Sequence, residues 1–381
     1  MNPIVIIGTG LAGYTLAREF RKLDADTPLV LISADDGAFY SKPMLSNAFA
    51  QGKDAAALVN TPAAKMAEQL DARILTQTRV TGIDTRSRQV VTGQETIDYA
   101  RLVLALGADP IRLPLDGDAA DSVLSVNDLA DYARFREALE QGPRVALLGA
   151  GLIGCEFAND LAGQGYTVDV IDLAPLPLGR LLPEACGAAM RDALTAAGIR
   201  LHLGTQVERI AHEANGIALT LANGETIDAD TVLSAVGLRP RTALAETAGL
   251  AVGRGIQVDR RLQTSTEDVY ALGDCAEVDG VVLPYIMPIM HAARALAKTL
   301  ANEPTPVSYP AMPVVVKTPA LATVVNPPAP GSEGEWRVSG QAPDLRADFV
   351  APDGQLLGVC LMGEATKQKQ AVTRELPSPL G

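Results

Sequence analysis

The chain contains one short construction twice: an apolar run, three glycines spaced Gly-x-Gly-x-x-Gly, and then a stretch with helical periodicity. The first copy reads Ile4-Val5-Ile6-Ile7-Gly8-Thr9-Gly10-Leu11-Ala12-Gly13, and the second Val145-Ala146-Leu147-Leu148-Gly149-Ala150-Gly151-Leu152-Ile153-Gly154. In such a unit Gly8 and Gly149 permit the tight turn out of the strand. Gly10 and Gly151 let backbone N–H groups approach a diphosphate, and Gly13 and Gly154 let the helix close onto the sheet. The helix N-terminus adds unpaired N–H groups and a positive partial charge. A single motif of this kind fits any glycine-rich turn. Two, each between an expected strand and an expected helix, predict two dinucleotide-binding units. An acidic residue follows each at about the 20-residue distance at which ribose hydroxyls are held, Asp35 in the first and Asp172 in the second. A carboxylate at Asp172 accepts from a free 2′-hydroxyl and repels a 2′-phosphate, which favours NAD over NADP. Read alone, Asp172 has as its alternative a solvated loop acid.

The rest of the chain follows the same alternation. Helical spacing covers Leu11–Leu23 and Pro62–Leu70; strands are expected at Leu29–Ser33, Ile74–Leu75, Val80–Ile83 and Arg101–Leu106, with a hairpin-like pair at Gln89–Val91 and Thr96–Tyr99. A Pro/Asp/Gly-rich stretch, Asp109–Asp118, interrupts the pattern, which then restarts at Val145 and breaks again at Leu238–Thr242. After Glu303 the texture turns proline-rich and β-branched, with strands at Trp336–Ser339, Leu345–Val350 and Leu356–Leu361 and a polar helix at Ala365–Glu375. The fold class is therefore α/β, with a small α+β tail. The chain divides into a first part of residues 1–113 and 243–308, an inserted part of residues 114–242, and a third of residues 309–381.

Composition limits the partners. With 32 Lys+Arg against 45 Asp+Glu, the 381-residue chain carries a net charge of −13, which argues against nucleic acid and anionic membrane surfaces. Residues 1–17 lack a charged side chain but also lack a basic n-region, so they do not read as a signal peptide. Gly280–Ala293, interrupted by Pro284 and Pro288, is too short for a membrane span. Cys155, Cys186, Cys275 and Cys360 lie far apart in sequence, and His202, His212 and His291 have no metal-ligand spacing. We therefore expect no metal site and a reduced, cytoplasmic protein.

Several further stretches carry a family resemblance: Tyr40-Ser41-Lys42-Pro43-Met44-Leu45-Ser46, Gly237-Leu238-Arg239-Pro240, the run Thr264–Asp274 continuing to Cys275-Ala276-Glu277, and Pro313-Val314-Val315-Val316-Lys317-Thr318-Pro319. With the two glycine units they resemble the pyridine nucleotide–disulfide oxidoreductases, and within them the NADH:rubredoxin reductases and related flavorubredoxin reductases. The resemblance covers about the first 300 residues, and the short tail fits as well. It implies two Rossmann-like domains, one inserted in the other, with FAD in the first and NADH in the second. It further implies that Thr9, Gly10, Leu11 and Ala12 wrap the FAD diphosphate, that Ser33, Ala34 and Asp35 flank its adenosine, and that Val80 touches the adenine side. Asp274 would bond the ribityl chain, Lys42 and Lys317 would lie near the isoalloxazine, Ile286 would cover its pyrimidine side, and Glu156 would face the nicotinamide pocket. Gly107, Gly237 and Gly273 complete the cofactor-facing set. Two positions depart from the family: Ala34 stands where a Glu is usual, and Ala105-Leu106-Gly107 replaces Ala-Thr-Gly.

Lys42, Glu156 and Lys317 are the residues the resemblance places nearest the chemistry. On their own, Lys42 reads equally as a surface lysine, and Glu156, taken to lie in the first turn of the second helix, as a helix-dipole partner. Lys317 follows an apolar strand, where a charge needs a partner. Met44, Met287 and Met290 read as core or gap-filling residues, and Cys155 and Cys275 as small buried hydrophobes. No cysteine occurs in Tyr40–Asn47, where the disulfide reductases carry a redox pair, so electrons would leave the flavin directly. The expected reaction, of EC 1.18.1 type, is hydride transfer from NADH to FAD and then one-electron transfer to rubredoxin. A monomer is expected to make a small, short-lived contact with that carrier. A [2Fe–2S] ferredoxin or a flavorubredoxin as acceptor, and a non-catalytic FAD/NADH redox sensor, are the rival readings. Alkane hydroxylation and nitric oxide or oxygen reduction are both downstream uses the resemblance allows.

Overall fold

The computed structural model describes residues 2–380; Met1 and Gly381, the outermost residues of the first and third parts, lie outside the described residues. Two parallel sheets account for the repeated sequence pattern. In the first, strands Val269–Ala271, Arg101–Leu104, Ile4–Ile7, Leu29–Ile32 and Ala72–Leu75 lie side by side in that order. All four residues of Ile4–Ile7 and of Leu29–Ile32 are buried, as a sheet covered on both faces requires. Helix Leu11–Arg21 covers one face, and the fifteen-residue helix Ile286–Leu300 packs beside it.

The second sheet repeats this plan with Arg200–Leu203, Thr167–Asp172, Arg144–Leu148 and Thr231–Ser234, and with helix Leu152–Ala162 after its glycine turn. A three-stranded antiparallel sheet accompanies each parallel one, formed by Val80–Asp84, Gln89–Thr92 and Thr96–Asp98 in the first case. In the second it comprises Val207–Glu213, Gly216–Leu221 and Thr226–Ala229.

The two stretches that interrupt the sequence pattern are not loops throughout. Ala108–Pro110 pairs antiparallel with Leu238–Pro240, Ala108 opposite Pro240, so the chain enters and leaves the second unit through a two-stranded ribbon. Such short, proline-containing strands carry no periodicity to read.

The tail forms a five-stranded antiparallel sheet in the order Val314–Val316, Thr323–Asn326, Leu356–Met362, Asp344–Val350, Glu335–Gln341. Its residues alternate strictly. Val325, Ala347, Cys360 and Met362 join a core shared with Leu147, Met190 and Leu45, whereas Val324, Val359 and Leu361 face Val372 and Leu376. The polar helix expected at Ala365–Glu375 is shorter, a 3₁₀ segment Gly363–Gln368 followed by a single α-helical turn, Lys369–Thr373. No helix among the described residues is long and apolar enough to cross a membrane.

The two glycine turns are built alike. Gly8 and Gly149 have φ of +111° and +105°, which side chains with a Cβ rarely adopt. A Cβ on Gly13 would stand 2.0 Å from the Gly8 carbonyl oxygen, and one on Gly154 1.9 Å from that of Gly149. A Cβ on Gly10 or Gly151 would meet nothing within 4 Å. Gly13→Ala is therefore expected to lower stability by about 1–3 kcal/mol in urea unfolding, the usual cost of overpacking. Gly10→Ala should stay within about 0.5 kcal/mol of the native protein while weakening retention of a bound dinucleotide. Equal stability losses in both variants would contradict this division of roles.

Candidate functional site

Both glycine turns leave a helix start without a side-chain cap: Gly10 precedes Leu11–Arg21 and Gly151 precedes Leu152–Ala162, with no acidic residue in either first turn. The N-terminal N–H groups, the open space over Gly10 and Gly151 and the positive end of each helix suit a diphosphate. Thr9, Leu11 and Ala12 complete the first turn. Thr9 is buried and its hydroxyl lies 2.6 Å from that of Ser33, tying the turn to the end of the second strand. Ser33 also donates to Asp35, which accepts the Gly37 N–H at 2.9 Å, so Asp35 is anchored yet remains exposed, as does Ala34. The Thr78 N–H donates to the Ser33 carbonyl, which brings the strand beginning at Val80 alongside the end of the second strand.

The Gly273–Asp274 segment closes the other side. A Cβ on Gly273, whose φ is +79°, would stand 2.8 Å from the Ala12 methyl, so this glycine lets the segment approach the first turn. Ile286 is the first residue of helix Ile286–Leu300 and is 41% exposed. Its neighbour Met287, expected in the core, is also exposed, because the helix turns its inner face inward only from Pro288 and Ile289. Gly107 and Gly237 flank the crossing ribbon, where Gly107 accepts from the Arg241 N–H and Gly237 from that of Ile111, each at 3.0 Å. In the second unit Asp172 binds its own glycine turn, taking the Ala150 N–H at 2.6 Å on one oxygen and the Ala174 N–H at 2.7 Å on the other. Each oxygen retains a lone pair for a ribose hydroxyl.

Between the two turns lies the 3₁₀ segment Lys42–Asn47, started by a proline that suits its first turn. Burial holds the Lys42 ammonium below the usual lysine range, opposed first by the Asp274 carboxylate. The same pairing works in reverse at Asp274, where burial raises the carboxyl and Lys42 lowers it. Lys42 Nζ donates to Asn127 Oδ1 at 2.6 Å.

At the other end of this segment Glu156 is fully buried. It is the fifth residue of its helix, beyond the first turn, and so is not the dipole partner its nearness to Gly154 suggested. Its carboxylate accepts from the Ser46 hydroxyl at 2.6 Å and the Lys317 backbone N–H at 3.1 Å, and pairs with Lys317 Nζ at 2.9 Å. Lys317 Nζ also donates to Asn47 Oδ1 at 2.9 Å and to the Pro43 carbonyl. On the same helix Asp160 accepts the Phe49 and Ala50 N–H groups, and Asn159 accepts that of Ala320. Burial raises the Asp160 carboxyl, with those two donors opposing.

Ser46, Asn47, Asn127, Asn159 and Asp160 escaped the sequence reading. Ser46 closes a recognised motif and Asn47 follows it, and Glu156 with Asp160 has i,i+4 spacing, but Asn127 carries no signal at all.

The remaining candidates stay ordinary. Burial pushes the Cys155 thiol up to about 12 and the Cys275 thiol to about 11, so neither is a reactive thiolate. His202 lies between Asp169 and Glu225, and no group of metal-ligating side chains is found among the described residues.

The Glu156–Lys317 pair is asymmetric, because Glu156 is fully enclosed and the Lys317 side chain is 37% exposed. Lys317→Met strands a buried carboxylate and should cost about 3 kcal/mol, while Glu156→Gln releases a cation toward water and should cost about 1 kcal/mol. Chemical denaturation of both variants tests that order; a larger loss in Glu156→Gln would contradict it.

Residues 2–298 match the family model described as pyridine nucleotide-disulphide oxidoreductase, and residues 306–376 match that of a rubredoxin binding C-terminal domain. The chain is 51% identical to a rubredoxin-NAD(+) reductase of Alcanivorax borkumensis, with 99% of each chain covered. It is 49% identical to the protein of that name from Acinetobacter baylyi, over 99% of this chain and 98% of the relative. Among solved structures, a ferredoxin reductase from Rhodopseudomonas palustris superposes with a TM-score of 0.89 at 26% identity, covering 100% of this chain and 96% of that one.

Proposed function

The chain belongs to the pyridine nucleotide-disulphide oxidoreductase family, and from that premise we propose that it is an FAD-dependent NADH:rubredoxin oxidoreductase. The observation that carries this reading is the full-length likeness, which extends through a C-terminal domain of the rubredoxin-binding type. FAD, when bound, supplies the switch from two-electron to one-electron chemistry, taking hydride from NADH and releasing electrons singly to the carrier.

The protein binds, orients and tunes. In this reading Gly8–Gly13 holds the FAD diphosphate, and Ser33, Ala34, Asp35 and Val80 border its adenosine. Gly273 and Asp274 meet the ribityl chain, and Lys42 sets a half-desolvated cation near the isoalloxazine, where it stabilises negative charge gained on reduction. Ile286 covers the pyrimidine side and Gly107 and Gly237 line the approach. Gly149, Gly151 and Gly154 hold the NADH diphosphate and Asp172 its adenosine ribose. Lys317 lies near the isoalloxazine and Glu156 toward the nicotinamide pocket, pre-paired as a nearly neutral unit, so that neither brings an uncompensated charge to the hydride path. The parts follow from this: residues 1–113 with 243–308 for FAD, 114–242 for NADH and 309–381 for the carrier. Four free, buried thiols suit the reducing cytoplasm.

The test uses the purified yellow protein. NADH should bleach the flavin anaerobically, and cytochrome c reduction should require added rubredoxin. Dependence on a [2Fe–2S] ferredoxin alone would replace the acceptor, and bleaching without turnover on any carrier would favour a sensor. NADH should exceed NADPH at least tenfold in kcat/KM, about 1.4 kcal/mol of discrimination, and Asp172→Ala should narrow that ratio. An unchanged ratio would remove Asp172 from the specificity.

A further inference from the structure

Asn127 belongs to none of the motifs, yet it is 7% exposed and spends every polar group of its side chain on the surroundings of Lys42. Its Nδ2 donates to the Ala108 carbonyl at 3.0 Å, which leaves Oδ1 facing Lys42 Nζ at 2.6 Å. The assignment of the amide is settled by its partners, since a carbonyl accepts and an ammonium donates. Its backbone N–H is held by Asp131 Oδ2 at 2.9 Å, and Asp131 in turn donates its N–H to Asp128, the cap of helix Leu129–Ala138. Asn127 thus joins three separate pieces of chain: the segment bearing Lys42, the crossing strand at Ala108 and the first helix past the crossing.

We propose that Asn127 is a positioning residue for hydride transfer, fixing the Lys42 ammonium against the flavin while leaving its charge uncancelled. The reasoning rests on the placement of Lys42 at the isoalloxazine given above. Asp274, Asp128 and Asp131 surround Lys42 with negative charge, and Arg241 opposes them. A lysine free to turn would settle against one of these carboxylates. A neutral amide oxygen competes by geometry, offering a short hydrogen bond from a rigid, doubly anchored group. An oriented cation would then stand beside bound FAD, where uptake of hydride, two electrons and one proton, would leave negative charge. A carboxylate at position 127 would hold Lys42 just as closely but neutralise it, and would also face the Ala108 oxygen without a proton to donate.

The test is the midpoint potential of the bound FAD, measured by dye equilibration in the holoenzyme, for Asn127→Asp, Asn127→Ala, Lys42→Met and each double variant. Asn127→Asp should move the potential to more negative values by at least about 30 mV, a tenfold change in a two-electron equilibrium. Asn127→Ala should move it the same way by a smaller amount, as Lys42 turns toward Asp274. Both shifts should disappear when Lys42 is already Met. If Asn127→Asp does not retain FAD, Asn127→Ala, which adds no charge, carries the same comparison. Shifts that persist undiminished in the Lys42→Met background, or Asn127 variants at the native potential while Lys42→Met is displaced, would overturn the proposal. A native potential in Lys42→Met itself would instead refute the placement of Lys42 on which the proposal rests.

Discussion

A single carboxylate holds the three parts of this molecule in register. Glu156 lies on the helix that opens the second nucleotide unit, yet its bonds go to Ser46 of the first unit and to Lys317, backbone and side chain, of the tail. A fully enclosed charge tolerates little misplacement, because every missing donor leaves it unsolvated. The same helix face repeats the arrangement with Asn159 and Asp160, which accept backbone N–H groups from residues 320, 49 and 50. Apolar packing surrounds these bonds in the core shared by Leu45, Phe157, Val316 and Met362. Hydrophobic burial supplies the adhesion there. The polar stripe supplies the alignment, since its bonds form in only one relative position.

That alignment matters because the chemistry belongs to bound groups and the protein contributes geometry and field. Two lysines reach the same short segment by different routes. Lys317 is matched by a buried carboxylate, whereas Lys42 is held by a neutral amide, in view of the partly buried Asp274. Two cations thus differ in electrostatic effect according to the partner the fold gives them.

Much of this was legible beforehand where periodicity or glycine spacing carried it. The apolar run at Val145–Leu148 is strand Arg144–Leu148, and the helical spacing at Pro62–Leu70 is helix Ala63–Leu70, because amphipathic or fully apolar runs have few alternatives. The partner that Lys317 needed could be foreseen as a requirement but not as Glu156, since the two are far apart in sequence and meet only through tertiary packing. Glu156 itself was misjudged by local reasoning: nearness to a helix start suggests a dipole role, while its side chain points into a three-way junction. Asn127 was invisible because an asparagine before an aspartate cap is ordinary turn chemistry, and only the approach of Lys42 from a distant segment makes it more. Short strands such as Ala108–Pro110 escape for the same reason, their pairing being decided by a partner remote in the chain.

The antiparallel ribbon at Ala108–Pro110 and Leu238–Pro240 bears on how such a molecule is assembled. Strands Arg101–Leu104 and Val269–Ala271 are neighbours in the first sheet although the whole second unit lies between them in sequence. Closing so long an excursion as random chain carries an entropic cost that grows with its length. Once the intervening unit has folded and its two ends are zipped together, only residues 105–107 and 241–268 remain to be closed between the two strands. The outer sheet can then complete itself as if the insertion were absent, and one nucleotide-binding cassette could be exchanged for another through the same paired entrance without redrawing its host.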